Sequence, residues 1–231
     1  MKTMKNQIVS MAAVLLTSAA FAQGVGTSAT FKGPVGVQIY SLRDQLKQDG
    51  AKALDVLKSL NVKYVEIGIE SHYGLTQEQM KQALDERGLV PIAAHAGQGF
   101  LLNKTEEAIA AARFFGLKYL GVAWASHQKP LDEAQTLKIA ADFNEIGKRL
   151  KAAGIQFFYH NHGFEFQPHK DGTLFDLLMA KTDPDLVKFE MDVLWTVFPG
   201  QDPVKLLKKY PDRWVLMHLK DLKKGVAGNL S

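Results

Sequence analysis

Cysteine is absent from the 231 residues, which excludes a disulfide-stapled scaffold and fits a protein of an oxidising compartment, where a stray thiol is a liability. Eight prolines and 19 glycines are too few for a collagen-like or low-complexity chain, while 46% hydrophobic and 23% charged residues suffice to bury a core. Charge of one sign is also scarce. The formal charge is +4, and Lys2 and Lys5 supply two of these within a first segment that holds no acid, leaving +2 for the remainder. That is too weak for a phosphate-backbone footprint, and the pairs Lys208-Lys209 and Lys223-Lys224 read as solvated charge, so no nucleic-acid partner is expected. No membrane partner is expected either, because no apolar run reaches the roughly 20 residues of a spanning helix.

What the chain does have begins with a secretory layout. Lys2 and Lys5 precede an apolar stretch from Ile8 through Leu16, and Ala20-Phe21-Ala22 matches a small-x-small cleavage site. Residues 1–22 are therefore read as a signal peptide, 23–33 as a flexible lead and 34–231 as the folded domain of a secreted, periplasmic protein.

From residue 35 onward, short apolar runs alternate with helical patterns. The runs occupy 35–40, 64–69, 91–95, 119–124, 156–160, 187–192 and 214–220. Helix signals lie between them. Thr76 and Gln79 form a capping box opening a helix over 77–87, Thr105 precedes Glu106-Glu107, and Asp202-Pro203 gives an N-cap followed by proline. Gly88, Gly116 and Gly154, and Asn61 in the same role, close helices just before the next strand. Strand starts are 27 to 37 residues apart, the length of one strand-helix unit. Such alternation demands parallel pairing. A doubly wound nucleotide fold would need a glycine fingerprint after the first strand, where Ser41-Leu-Arg43-Asp44 stands instead. The spacing thus predicts an α/β protein, a (β/α)8 TIM barrel that is C-terminally truncated, with seven of eight strands present.

Alternate strand residues of a barrel point inward, and the C-terminal strand ends carry the active site. There the sequence puts polar and aromatic groups: Gln38 and Tyr40, Glu66, His95, Trp124, His160 and His162, Glu190 and Asp192, and His218 and Lys220, in strand order. Buried unpaired carboxylates are costly, so such a rim needs mutual pairing, for instance Glu190 with Lys220, or a cation. Imidazole and carboxylate together suit one divalent ion of Mn, Co, Zn or Fe. Among the rim residues Asp192 and His218 stand foremost, because three adjacent strands present ligand types at matching depth. Trp124 and Trp195 either pack or form a platform for sugar rings. His72, His127 and His169 read as ordinary loop histidines.

The segments Val37-Gln-Ile-Tyr-Ser-Leu-Arg43, Tyr159-His-Asn-His162 with Glu165-Phe166, Glu190-Met-Asp-Val-Leu-Trp195 and His218-Leu-Lys-Asp221 resemble the sugar phosphate isomerase/epimerase family of xylose-isomerase-like TIM barrels, over residues 35–223. The resemblance implies one divalent ion held by Glu, Asp, His and Glu from strands five to eight. Asp192 and His218 match that pattern, while His160 stands in place of the first glutamate and the strand-eight glutamate has no counterpart, so the resemblance makes His160, Asp192 and His218 the expected ligands. Trp195 takes the place of a second, substrate-touching histidine. The implied activity is that of a metal-dependent isomerase or epimerase that abstracts a proton beside a metal-bound carbonyl of a small-molecule sugar or keto-sugar. With a histidine replacing one carboxylate, a dehydratase, hydratase or lyase acting on keto-glycosides is the alternative, its acid and base drawn from His160, His162, Glu66 and Lys220. Gln38, Tyr40, His95, Trp124 and Trp195 are the expected substrate contacts. A non-catalytic sugar-binding barrel is the third reading. The oligomeric state stays open.

Overall fold

A computed structural model describes residues 33–221. The secretory segment, nearly all of the flexible lead and the last ten residues lie outside them. Seven parallel strands form one sheet: β1 Gly36–Gln38, β2 Tyr64–Gly68, β3 Val90–Ala96, β4 Tyr119–Val122, β5 Gln156–His160, β6 Val187–Asp192 and β7 Trp214–His218. Their spatial order is their chain order, as a TIM barrel requires. An eighth strand has no counterpart among the described residues. No described helix is long and apolar enough to cross a membrane.

The helices are α1 Arg43–Gln48, α2 Gly50–Ser59, α3 Gln77–Asp85, α4 Gln98–Asn103, α5 Thr105–Phe115, α6 Glu133–Ala152, α7 Leu174–Lys181, α8 Val193–Val197 and α9 Pro203–Lys209. Thr76 and Gln79 close the expected capping box on α3, and the Asp202 carboxylate accepts from the amides of Val204 and Lys205. Gly116 ends α5 in the left-handed region at φ 70°, which costs glycine nothing and allows the chain to turn into β4. Thr105 is a difference from expectation. It is the first residue of α5 rather than its cap, and its hydroxyl donates to the Leu101 carbonyl, since α4 and α5 follow each other with only Lys104 between.

Strand periodicity divides the residues into two sets. Val65, Ile67, Ala94, Ala96, Phe157, Tyr159, Phe189 and Met191 join the helices' Leu54, Met80, Ala112 and Phe143 in the hydrophobic core. The alternate residues face the barrel axis, where Phe158 occupies space left by Gly121: a Cβ there would lie 2.5 Å from the Phe158 carbonyl oxygen and 2.7 Å from its ring. Above Phe158, at the C-terminal ends, the axis is lined by charge.

Candidate functional site

Register brings the charged residues level. In Cα pairing His160 of β5 lies beside Glu190 of β6, and Asp192 lies beside His218 of β7, after a shift at Phe189/Glu190. Glu66 on β2 and His95 on β3 complete the ring from the other side. Glu190, 1% exposed, sits at its centre. Its Oε2 meets His160 Nδ1 at 2.9 Å and His95 Nε2 at 3.0 Å, and its Oε1 meets His218 Nε2 at 3.2 Å. Glu66 Oε1 lies 3.1 Å from His218 Nε2 and 3.4 Å from His95 Nδ1.

Asp192, fully buried, divides its carboxylate. Oδ1 caps α8 by accepting from the Trp195 amide at 3.1 Å, while Oδ2 lies 3.4 Å from His160 Nε2 and 2.5 Å from the Lys220 ammonium. Lys220 therefore pairs with Asp192 rather than with Glu190, because it lies two residues past the end of β7 and reaches the outer carboxylate, whereas Glu190 is one layer deeper among imidazoles. Asn161 locks this geometry. Its carbonyl accepts from the Asp192 amide at 3.1 Å and its amide donates to Thr196.

Proton affinities follow from these contacts. Burial lowers the His160 pKa to about 3 despite its bond to Glu190, so it is neutral at pH 7. Burial acts the same way on His218 but is outweighed by Glu190 and Glu66, which raise its pKa to about 10. His95 is likewise raised, burial again losing to Glu66 and Glu190. Burial would lift the Glu190 carboxyl, yet bonds from His160, His218 and His95 hold it well below the usual carboxylate range. Glu66 is raised by burial and by the charge of Glu190, against the pull of His95 and His218. Burial and the Lys220 charge lower His162 to about 4. The side chains thus offset much of one another's charge by the mutual pairing that the rim composition allows, with Asp192 rather than Glu190 as the partner of Lys220.

A divalent ion nevertheless fits. His160, Asp192 and His218 each offer a ligand atom within 4.8 Å of the others, and His95–His160–Glu190 and Glu66–Glu190–His218 form two further such groups. Nδ1 of His218 is buried without a hydrogen-bond partner among the described residues. Neutral imidazole nitrogen with carboxylate oxygen is a donor set for zinc, manganese, cobalt or iron.

The expected site residues fall into three groups. Glu66, His95, His160, Asp192, His218 and Lys220 are brought together. His162, Trp124 and Trp195 form an aromatic wall beside them: the His162 ring lies 4.9 Å from that of His160, 4.9 Å from Trp124 and 5.5 Å from Trp195. Trp124 stands beyond the end of β4, 47% exposed. Tyr40 is not part of this assembly. It lies in the 3-10 turn Ile39–Leu42 rather than on β1, is 57% exposed and has the Arg43 guanidinium over its ring at 4.8 Å. Gln38 ends β1 next to Glu66 in register and makes no side-chain hydrogen bond among the described residues.

Sequence reasoning gave no role to Glu190 as the hub, to Asn161 or to Glu165. Glu165 is buried, bonds to the Tyr159 hydroxyl and accepts from the His162 amide at 2.9 and 3.0 Å, fixing the segment after β5. Period two on β6 pairs Glu190 with Asp192 on one face, and that is the signal for Glu190. Asn161 and Glu165 lie past the strand, where periodicity ends.

The family model described as xylose isomerase-like TIM barrel matches residues 54–230. An inosose dehydratase of Lacticaseibacillus casei is 30% identical over 198 residues, covering 76% of this chain and 64% of its own length. The chain thus spans somewhat less than two thirds of that curated relative. The crystal structure of a sugar phosphate isomerase/epimerase from Parabacteroides distasonis is 28% identical with a TM-score of 0.72, over 87% of this chain and 79% of that one. The IOLI protein, crystallised with a zinc atom, shares the fold at 14% identity and a TM-score of 0.61, over 85% of this chain and 75% of its own.

Proposed function

This chain belongs to the xylose isomerase-like TIM barrel family, and on that premise we propose that it is a metal-dependent enzyme that removes the proton beside the carbonyl of a sugar or keto-sugar. The observation carrying this reading is the meeting of His160, Asp192 and His218, from three adjacent strands, within 4.8 Å. A bound divalent ion supplies a Lewis acid that stabilises the negative charge developing on the sugar oxygen. The protein supplies the rest. His162, with its Nδ1 unpartnered among the described residues, is placed beside the ligand set to take the proton. Lys220, paired with the Asp192 carboxylate at 2.5 Å, is placed to give one. Trp124 and Trp195 present apolar faces to the ring and exclude water from one side.

Return of the proton to the neighbouring carbon gives isomerisation, and its return to the opposite face of the same carbon gives epimerisation. The alternative is loss of a neighbouring hydroxyl or glycosidic oxygen, which breaks a C–O bond and takes its proton from Lys220. This second reading is favoured by the asymmetry of the site, since Glu66 and Glu190 are both tied to imidazoles and a symmetric pair of free carboxylates is not present among the described residues. The Lacticaseibacillus relative, an inosose dehydratase, supports it too. The layout of residues 1–22 supports export, and with it unphosphorylated substrates.

The test is incubation of the metal-loaded protein with sugars and keto-sugars in deuterated water. Deuterium at one carbon without loss of mass marks the isomerase, and an unsaturated product marks the lyase. Asp192→Ala should lose metal and turnover together. Sugar binding that survives both chelation and Asp192→Ala, with no turnover by the parent protein, would identify a non-catalytic binding barrel instead.

A further inference from the structure

Beside the charged cluster, on the same C-terminal rim, lies a groove of about 600 Å³ between α4, the loop after β4 and the first turns of α6. That volume falls within the roughly 300–1,000 Å³ of small-molecule sites. Part of its wall is polar and held by hydrogen bonds. The buried Gln98 donates through Nε2 to Asp142 Oδ2 at 2.8 Å and accepts at Oε1 from the Ser126 amide at 2.8 Å. Lys138 donates to the same Asp142 oxygen at 2.7 Å. Both partners use Oδ2, so among the described residues Asp142 keeps Oδ1 for another donor. Side chains already held in place lose little freedom when a ligand arrives.

A chain of aromatic contacts links the groove to the site. His127 lines it and stacks on Trp124, with ring centres 5.6 Å apart and planes 23° apart. Trp124 in turn touches His162, which touches His160. Stacked rings leading into a trough of amide, carboxylate and ammonium suit a ligand that is apolar on its faces and hydroxylated around its edge, which is the chemistry of a pyranose.

We propose that this groove is a second sugar subsite and that the substrate is a glycoside of at least two rings, one at the charged cluster and the next past Trp124, beside His127 in the groove. The inference rests on the sugar-enzyme reading above and narrows its substrate class. A single-ring substrate leaves the groove unused.

Gly99 allows a test without damage to the fold. It lines the groove, and a Cβ added there meets nothing nearer than Asn103 Nδ2 at 4.0 Å. Calorimetric titration of the zinc-loaded full chain compares glucose with cellobiose, maltose, trehalose and sucrose. At least one disaccharide is expected to bind about tenfold or more tighter than glucose, and Gly99→Phe, which fills the groove, is expected to bring that ratio to about one. Equal affinities in the parent protein, or a preference that Gly99→Phe leaves intact, overturn the second subsite while glucose binding upholds the sugar site. Failure of all five sugars to bind overturns both.

Discussion

An ion held by His160, Asp192 and His218 must displace a proton at pH 7, and it must displace only one. His160 need lose none, because burial holds its pKa at about 3 and leaves one ring nitrogen unprotonated. His218 is an imidazolium, kept so to about pH 10 by Glu190 at 3.2 Å and Glu66 at 3.1 Å. At about 1.4 kcal/mol per pH unit, removing that proton at pH 7 costs roughly 4 kcal/mol, which metal binding must overcome. Apparent metal affinity should therefore rise about tenfold for each unit of pH between 6 and 8.5, with about one proton released per ion. Calorimetric titration of zinc into chelator-stripped protein, in buffers of different ionisation enthalpy, gives the proton count. Competition with a coloured chelator across the same range gives the slope. Glu190→Gln withdraws the negative charge of one of the two carboxylates and should end the steep region at lower pH. A flat affinity with no proton released would refute the argument, since it means that His218 is either uncharged or not a ligand.

Glu165 should make stability fall with pH. Burial lifts its carboxyl to about 7 from an ordinary 4.5, so its contribution is fully present below 4.5 and lost as pH rises through 7, a difference of roughly 3 kcal/mol. Both Tyr159 and the His162 amide reach Glu165 Oε1, which Glu165→Gln retains, so that variant should unfold in urea at a midpoint with that slope removed. Gly121→Ala forces a Cβ against the Phe158 carbonyl and ring and should cost about 1–3 kcal/mol in thermal melting, because backbone cannot step aside. Asn161→Ala orphans the buried Asp192 amide, and a loss of about 1–3 kcal/mol together with weaker metal retention is expected in melts with and without chelator.

The fold was legible because a barrel repeats one unit. All seven strands fall within the runs read from the sequence or extend them by one residue at either end, and β5 and β6 match them fully. Periodicity also gave the inward face, which placed Glu66, His95, His160, Asp192 and His218 on one wall. What it could not give is depth and partnership, since both depend on register between strands far apart in the chain. The shift at Phe189/Glu190 decides the matter: it sets Asp192 level with His218 and leaves Glu190 one layer below, where His95, His160 and His218 all reach it. A two-residue difference along β6 thus separates two carboxylates by role. Asp192, at the strand end, meets Lys220 and caps α8, so it faces the place where a ligand enters. Glu190, enclosed, sets the charge of the imidazoles around it. The sequence motif writes the two as near-equivalents, and the staggering of β6 against β7 sets one at the rim, where the proposed ion would be held, and the other below it, where it holds the proton of its neighbour His218.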